Sequence, residues 1–255
     1  MRIHLFELED QSWFPKSIRD VGTDFMRFVA EFAQPYRPVV PRLGRALAAT
    51  GSPGILDLCS GGAGPAVAIR NQLAASGQNV PVTLTDKFPN RSAFEYVRQV
   101  TGGGVDFIET PIDATAVPAH LSGFRTLFSG LHHFRPEVAR HILQDAVDRR
   151  QPIGVFEITR RSPLHILGTA LLPLAMLLST PFIRPFRWSR LLWTYVVPVV
   201  PVFITWDAFV SCLRTYSVKE LHELVDGLRY ENYSWEIGVE HTRPAGVCYL
   251  IGYPT

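Results

Sequence analysis

Three aspartates and two adjacent histidines stand at the ends of short apolar runs, where a parallel sheet would gather them along one rim. Asp57 closes "GILD", Asp86 closes "VTLTD", and Asp113 lies in "PIDATAVP". Carboxylates so placed accept hydrogen bonds from hydroxyl and amino groups. After Asp57 comes "LCSGGAG", in which Cys59, Ser60, Gly61, Gly62, Ala63 and Gly64 leave room for little but backbone. A strand that ends in such a turn and opens a helix offers free N–H groups and a positive helix end, which many ligands could use. His132 and His133 follow "FRTLFSG", whose last residues are Ser129 and Gly130. Imidazole, with an ordinary pKa of about 6.5, suits proton transfer near neutral pH. Neighbouring histidines point in different directions on most backbones, so no shared metal is expected. Glu157 ends "IGVFE" at the expected rim of the cleft. Arg160 and Arg161 lie just outside it, either as a solvated cluster or as a site for an anionic group.

These residues need elements to hold them. "GILDL", "VPVTLTD", "GVDFIE", "FRTLFSG" and "PIGVFEI" read as strands. The intervening "GPAVAIRNQLAASG", "SAFEYVRQV" and residues 136–149 read as helices, with Pro65 and Pro136 in first turns and Gly77 just past an end. Alternation of this kind implies right-handed crossovers and a parallel sheet with helices on both faces. Two helices precede it, at 18–33 with Ser17 as cap and Asp20 three residues on, and at 38–50. "SVKELHELVDG" carries a capping box, Ser217 with Glu220. The runs "YSWEIGVEH" and "GVCYLIGYP", joined by "TRPA", predict an antiparallel hairpin.

The turn after Asp57 is not a dinucleotide fingerprint, because Val67 stands where G-x-G-x-x-G/A needs a small residue. It is not a Walker loop either, since no Gly-Lys-Ser/Thr follows. What it does match is acidic-x-small-x-Gly-x-small, Asp57 to Ala63. There the chain resembles the class I S-adenosylmethionine-dependent methyltransferases, with motif order kept over about 54–160. Cys59 and Ala63 occupy positions where that family most often has glycine. The resemblance implies a Rossmann-like methyltransferase fold: a mostly parallel seven-stranded sheet with an antiparallel last strand, helices on both faces, and here an apolar helical insertion. It implies S-adenosyl-L-methionine as cofactor and S-adenosyl-L-homocysteine as product. Asp57, Cys59, Ser60, Gly61 and Gly62 would lie by its methionine end, Asp86 and Lys87 by the ribose, Asp113 and Ala114 by the adenine, and Ser129 and Gly130 beside them. His132 or His133 would take a proton from an acceptor. Helices ahead of the first strand often close such a pocket, which makes Trp13, Phe14 and Tyr36 acceptor-binding candidates. Plain packing onto the sheet is the alternative.

The remainder of a single domain divides into an N-terminal helical lid (1–50), the cofactor core (54–160), an insertion (161–216) and a last helix with hairpin (217–255). The insertion holds two apolar runs, 164–183 and 191–206, separated by Arg184, Arg187 and Arg190; Pro198 and Pro201 break the second. Three readings stay open: a membrane-spanning hairpin, which the arginines oppose; a peripheral contact with one leaflet; and a lid buried against the sheet. The last two imply a small hydrophobic or lipid-like acceptor methylated at oxygen, with Trp206 and Asp207 facing it. Asp207, Ser211 and Arg214 share one helix face, where an Asp–Arg pair would pin the lid. A formal net charge of +2 argues against nucleic acid as partner. Three scattered cysteines and an acidic start without an export signal suggest the cytoplasm, peripheral on the inner face of a membrane if the insertion binds one. A non-catalytic cofactor-binding or membrane-associated module is the alternative function.

Overall fold

The computed structural model describes residues 2–241 and 246–255; the join "TRPA" lies outside them. Strands β1 (Ile55–Asp57), β2 (Val82–Leu84), β3 (Val105–Phe107), β4 (Phe124–Phe128), β5 (Ile153–Glu157), β6 (Tyr233–His241) and β7 (Gly246–Pro254) form one sheet. Its order is β3-β2-β1-β4-β5-β7-β6. The first five strands are mutually parallel, and β7 runs antiparallel between β5 and β6. The chain reverses its direction of travel across the sheet between β1 and β4, and the carboxyl ends of that pair form the crevice where ligands of open α/β sheets bind.

Alternate side chains of the strands feed two cores. Ile55 and Leu84 meet α2 (Val40–Thr50), α3 (Ala66–Ala75) and α4 (Arg91–Val100) through Leu43, Leu73 and Phe94. Leu56, Val155 and Leu250 meet α5 (Pro136–Asp148) and α10 (Val218–Asp226) through Ile142, Leu143 and Leu224. The Ser217–Glu220 capping box of α10 is present.

The two helices expected within residues 1–50 are present, with an irregular segment ahead of them. Residues 2–14 form an extended, turned segment without helix. Helix α1 (Lys16–Ala33) starts one residue before the expected cap, because the Pro15 carbonyl already accepts from the amides of Ile18 and Arg19. Ser17 therefore lies inside the helix, and the Asp20 carboxylate instead pairs with Lys16 Nζ at 2.8 Å.

The insertion comprises α6 (Pro163–Gly168), α7 (Leu172–Ser179), α8 (Trp188–Leu191) and α9 (Val199–Arg214). It is not buried against the sheet. Met176, Ile183, Val200, Phe203 and Ile204 pack on Phe14, Ile18, Val21 and Phe25, so α1 is its platform. The arginines between its two runs fold back onto the same helix: Arg190 and Asp24 form a buried ion pair, and Arg187 lies 3.9 Å from Asp24. That argues against the spanning hairpin, whose connecting charges would have to stand apart from the domain, although Pro163–Phe182 is long and apolar enough to cross a membrane. A 79° bend at the break before Val199 interrupts the second run.

Helix α1 itself rests on the small-residue turn. A Cβ on Gly62 would lie 2.4 Å from the Thr23 carbonyl oxygen, so backbone meets backbone there. Gly62→Ala should lower stability by about 1–3 kcal/mol, measured by urea unfolding. An unchanged midpoint would mean that α1 shifts without cost.

Candidate active site

The turn between β1 and α3 is held by Asp57. Its carboxylate accepts from Ser60 Oγ and Thr126 Oγ1, both at 2.6 Å, which ties the turn to β4. Thr85 Oγ1 donates to the Asp57 carbonyl at 2.9 Å and ties it to β2. Burial pushes the Asp57 carboxyl up to about 7 against these hydrogen bonds. With both oxygens engaged and the residue buried, Asp57 shapes the turn and does not reach outward. Cys59 and Ala63 adopt φ values of 59° and 84°, the left-handed region where glycine is the usual occupant. Burial raises the Cys59 thiol, which makes it a poor nucleophile.

Asp86, just past β2, accepts from Gly61 N through Oδ2 and from Phe88 N through Oδ1, each at 2.7 Å. Each oxygen retains a second lone pair. Burial raises its pKa, and those two amides oppose the rise. Asp113 accepts from Lys87 Nζ at 2.8 Å and from Thr115 Oγ1 at 2.7 Å. Burial would raise it, but Lys87 and Thr115 outweigh burial and hold it below the usual range. Ala114 is buried beside it. At the end of β4 a Cβ on Gly130 would lie 3.3 Å from Cys59 Cβ, so the two turns abut. Ser129 Oγ bonds Tyr36 Oη at 2.8 Å, and Tyr36 is buried edge-on to Phe128.

Beyond Gly130 the chain makes a short turn at Leu131–His133. Glu157 is buried beneath it and not at an open rim. Its Oε1 accepts from Leu131 N and His132 N, and its Oε2 lies 2.7 Å from His132 Nδ1. A carboxylate partner puts the proton on Nδ1, which leaves Nε2 as an acceptor. Among the described residues that buried Nε2 has no hydrogen-bond partner, and it lies 3.9 Å from Glu7 Oε1. His133 Nδ1 lies 2.8 Å from Asp10 Oδ1 and 2.9 Å from Glu7 Oε2. Burial alone would lower the His133 pKa; the Glu7 and Asp10 carboxylates raise it well above the ordinary value.

The two imidazoles do not diverge as expected. They stack with centroids 4.4 Å apart, because the tight turn aligns their backbones. Glu7, His132 and His133 bring donor atoms within 4.8 Å of one another. Arg214 Nη1 lies 3.4 Å from Glu7 and 2.7 Å from Asp10. Together with protonated His133 it supplies the positive charge these carboxylates need, and no metal is assigned to the cluster.

The N-terminal segment closes over this turn. Arg2 donates to the His132 and Phe134 carbonyls at 3.1 and 2.7 Å. Asp207, Ser211 and Arg214 do share a face of α9, and each grips the segment, with no Asp207–Arg214 pair among the described residues; Ser211 Oγ also lies 2.8 Å from the Asp207 carbonyl. Asp207 accepts from Leu8 N and Glu9 N at 2.8 and 2.9 Å, Ser211 Oγ donates to Glu7, and Arg214 Nε donates to the Leu5 carbonyl at 2.6 Å. Trp206 Nε1 donates to the Phe6 carbonyl at 3.1 Å, with its ring tilted against Phe6. Arg19 donates to the Glu9 and Gln11 carbonyls and stacks over Phe88, linking the segment to the Asp86 loop. Of the other acceptor candidates, Phe14 packs on Phe203 between α1 and α9, whereas the Trp13 ring is 67% exposed outside the cluster.

No protein-family model and no curated protein sequence matches this chain. Solved structures do. A protein described as PigF with S-adenosylhomocysteine is 19% identical over 96% of this chain and 63% of its own, with a TM-score of 0.52. Magnesium protoporphyrin IX methyltransferase (ChlM) from Synechocystis, solved with S-adenosylmethionine, is 12% identical over 96% of this chain and all of its own, with a TM-score of 0.50. At such identities the likeness concerns architecture. The chain has the Rossmann-like methyltransferase fold. This chain thus spans less than two thirds of the length of PigF.

Within this methyltransferase fold, sequence reasoning missed Glu7, Asp10, Arg19 and Arg214 as parts of the site. The run "ELED" was the available signal for the first two. The cluster has a pH window. Asp10 is held below its ordinary 3.8 by His133 and Arg214 despite burial, so its contribution is present above pH 3.8 and lost as pH falls. The raised His133 contributes fully below its ordinary 6.5 and loses that contribution as pH rises through its folded value. His133→Gln should therefore cost about 1.5–3 kcal/mol near pH 6 and less in alkali. Thermal denaturation across pH 5–10 reads this; a pH-independent loss would show that the imidazolium is not what holds the segment.

Proposed function

We propose that this protein is an S-adenosylmethionine-dependent methyltransferase acting at oxygen on a small hydrophobic or lipid-like acceptor. The observation that carries the reading is the Asp86–Gly61 bond at the sheet's reversal point. It leaves the carboxylate with two unused lone pairs beside a turn in which the Cys59, Gly62 and Gly64 amides meet no protein acceptor among the described residues. Such a donor and acceptor set fits the cofactor. Asp86 would accept from the ribose hydroxyls, and the turn amides would receive the methionine carboxylate. Asp113, Lys87 and Ala114 would border the adenine, and Ser129 and Gly130 the space between. When bound, the cofactor supplies an electrophilic methyl group on a sulfonium.

The residues of the cluster would orient the acceptor and remove its proton. His132 is the candidate base, since Glu157 fixes its tautomer and its Nε2 lone pair is free. His133, already protonated, would instead anchor the N-terminal segment through Glu7 and Asp10. A lipophilic acceptor is supported by the aromatic surroundings, Phe6 on Trp206 and Phe88 under Arg19.

Calorimetry should find S-adenosylhomocysteine binding that Asp86→Ala weakens by about 1.5–3 kcal/mol. Labelled methyl transfer into a lipid extract should fall about 100-fold or more in His132→Gln, with cofactor binding intact. No binding by the wild type would overturn the reading. Binding without transfer to any extract would mark a non-catalytic module.

A further inference from the structure

The outer surface of the insertion reverses the usual rule for an amphipathic helix. Leu164, Leu167, Leu171, Leu174, Leu178 and Phe182 recur at steps of three and four, the spacing of a single helical face. In a water-soluble domain such a stripe faces the core. Here each of the six is between 57% and 72% exposed, while Met176 is buried against α1. Trp188, Val196 and Val202, at 78%, 72% and 68% exposed, extend the apolar surface across the second run.

Three features say what covers it. From Ile158 through Trp206 the sequence contains no Asp or Glu, and its formal charges are five arginines. Of these Arg184 is exposed, close in sequence to Trp188, the pairing found where a protein meets lipid headgroups. Continuous helical backbone over Pro163–Phe182 leaves few amides seeking water. Four hydroxyls are satisfied by the insertion's own carbonyls as well. Thr169 donates to the Ile166 carbonyl at 2.7 Å, Thr180 to Met176 at 2.7 Å, Ser179 to Met176 at 3.4 Å, and Tyr195 to Leu177. A surface made for water or for a polar protein rim would present those groups; hydrocarbon requires them satisfied.

We infer that this face seats in one leaflet of a lipid bilayer, with Arg184 and Trp188 at the headgroup level. The stripe lies in the membrane plane and does not cross it, because Ile183, Arg187 and Arg190 tie the far end of the run back to α1. The inference goes beyond the proposed methyl transfer and does not rest on it.

The test is co-sedimentation of the full chain with phosphatidylcholine vesicles, with and without phosphatidylglycerol. The wild type should bind both and bind the anionic vesicles severalfold more tightly. The triple variant Leu167→Glu, Leu171→Glu, Leu178→Glu, altered only at exposed positions, should lose at least about tenfold in vesicle affinity. Its thermal unfolding and S-adenosylhomocysteine binding, if the wild type binds that ligand, should not change. Vesicle binding that survives the three charges would overturn the inference. So would its absence in the wild type combined with self-association that the variant abolishes, which would assign the face to a second copy of the chain.

Discussion

Residue 62 must have no side chain, and much of the molecule outside the sheet depends on that. With glycine there, the α1 backbone descends to the turn after β1. Helix α1 then carries both the insertion, through Phe14, Ile18, Val21 and Phe25, and the buried Asp24 that receives Arg190. The same turn shows its own cost at Cys59 and Ala63, which hold left-handed backbone without being glycine. Strain of this kind persists where the surroundings over-determine it, and here Asp57 binds the turn to β2 and β4 at once. The turn after β1 and the distant apolar face are thus two ends of one mechanical chain.

The second organising element is electrostatic. Five carboxylates, from Glu7, Glu9, Asp10, Glu157 and Asp207, converge on a short turn with two imidazoles and Arg214. Such a gathering is costly to bury unless every charge has a partner. Division of labour supplies the partners: Glu157 takes His132, the pair Glu7 and Asp10 takes His133 and Arg214, and Asp207 accepts from two backbone amides. The half-exposed Glu9 lies 3.8 Å from His133 Nε2. Adjacent histidines, equivalent in the sequence, are both met at Nδ1 but carry different loads: one carboxylate, Glu157, for His132, and two, Glu7 and Asp10, for His133.

The strand order and turn chemistry were legible because they obey local rules: apolar runs, prolines at helix starts, the Ser217–Glu220 box, an aspartate after each of three strands. Asp57 and Asp86 fall where that logic puts them. What sequence could not supply was long-range pairing. Nothing local says that "ELED" lies over "LHH", or that Asp207 and Arg214 hold a segment near residue 8 and do not pair with each other. The stripe in 164–182 was visible as apolarity, but its outward orientation depends on which side α1 occupies. Glu157 was misjudged for the same reason, since a carboxylate at a strand end looks like a rim residue until the next turn folds across it.

Arg2 and the residues through Asp10 find their partners up to 212 positions away. During synthesis, then, the segment Arg2–Asp10 finds its place only after α9 has been made. The sheet from β3 to β5 can pair once residue 157 is available, yet the histidine turn stays open until α9 has been made and has folded against α1. Contacts of such sequence separation form late and slowly. A chain lacking α9 would therefore lack the contacts that hold residues 2–10 over the histidine turn.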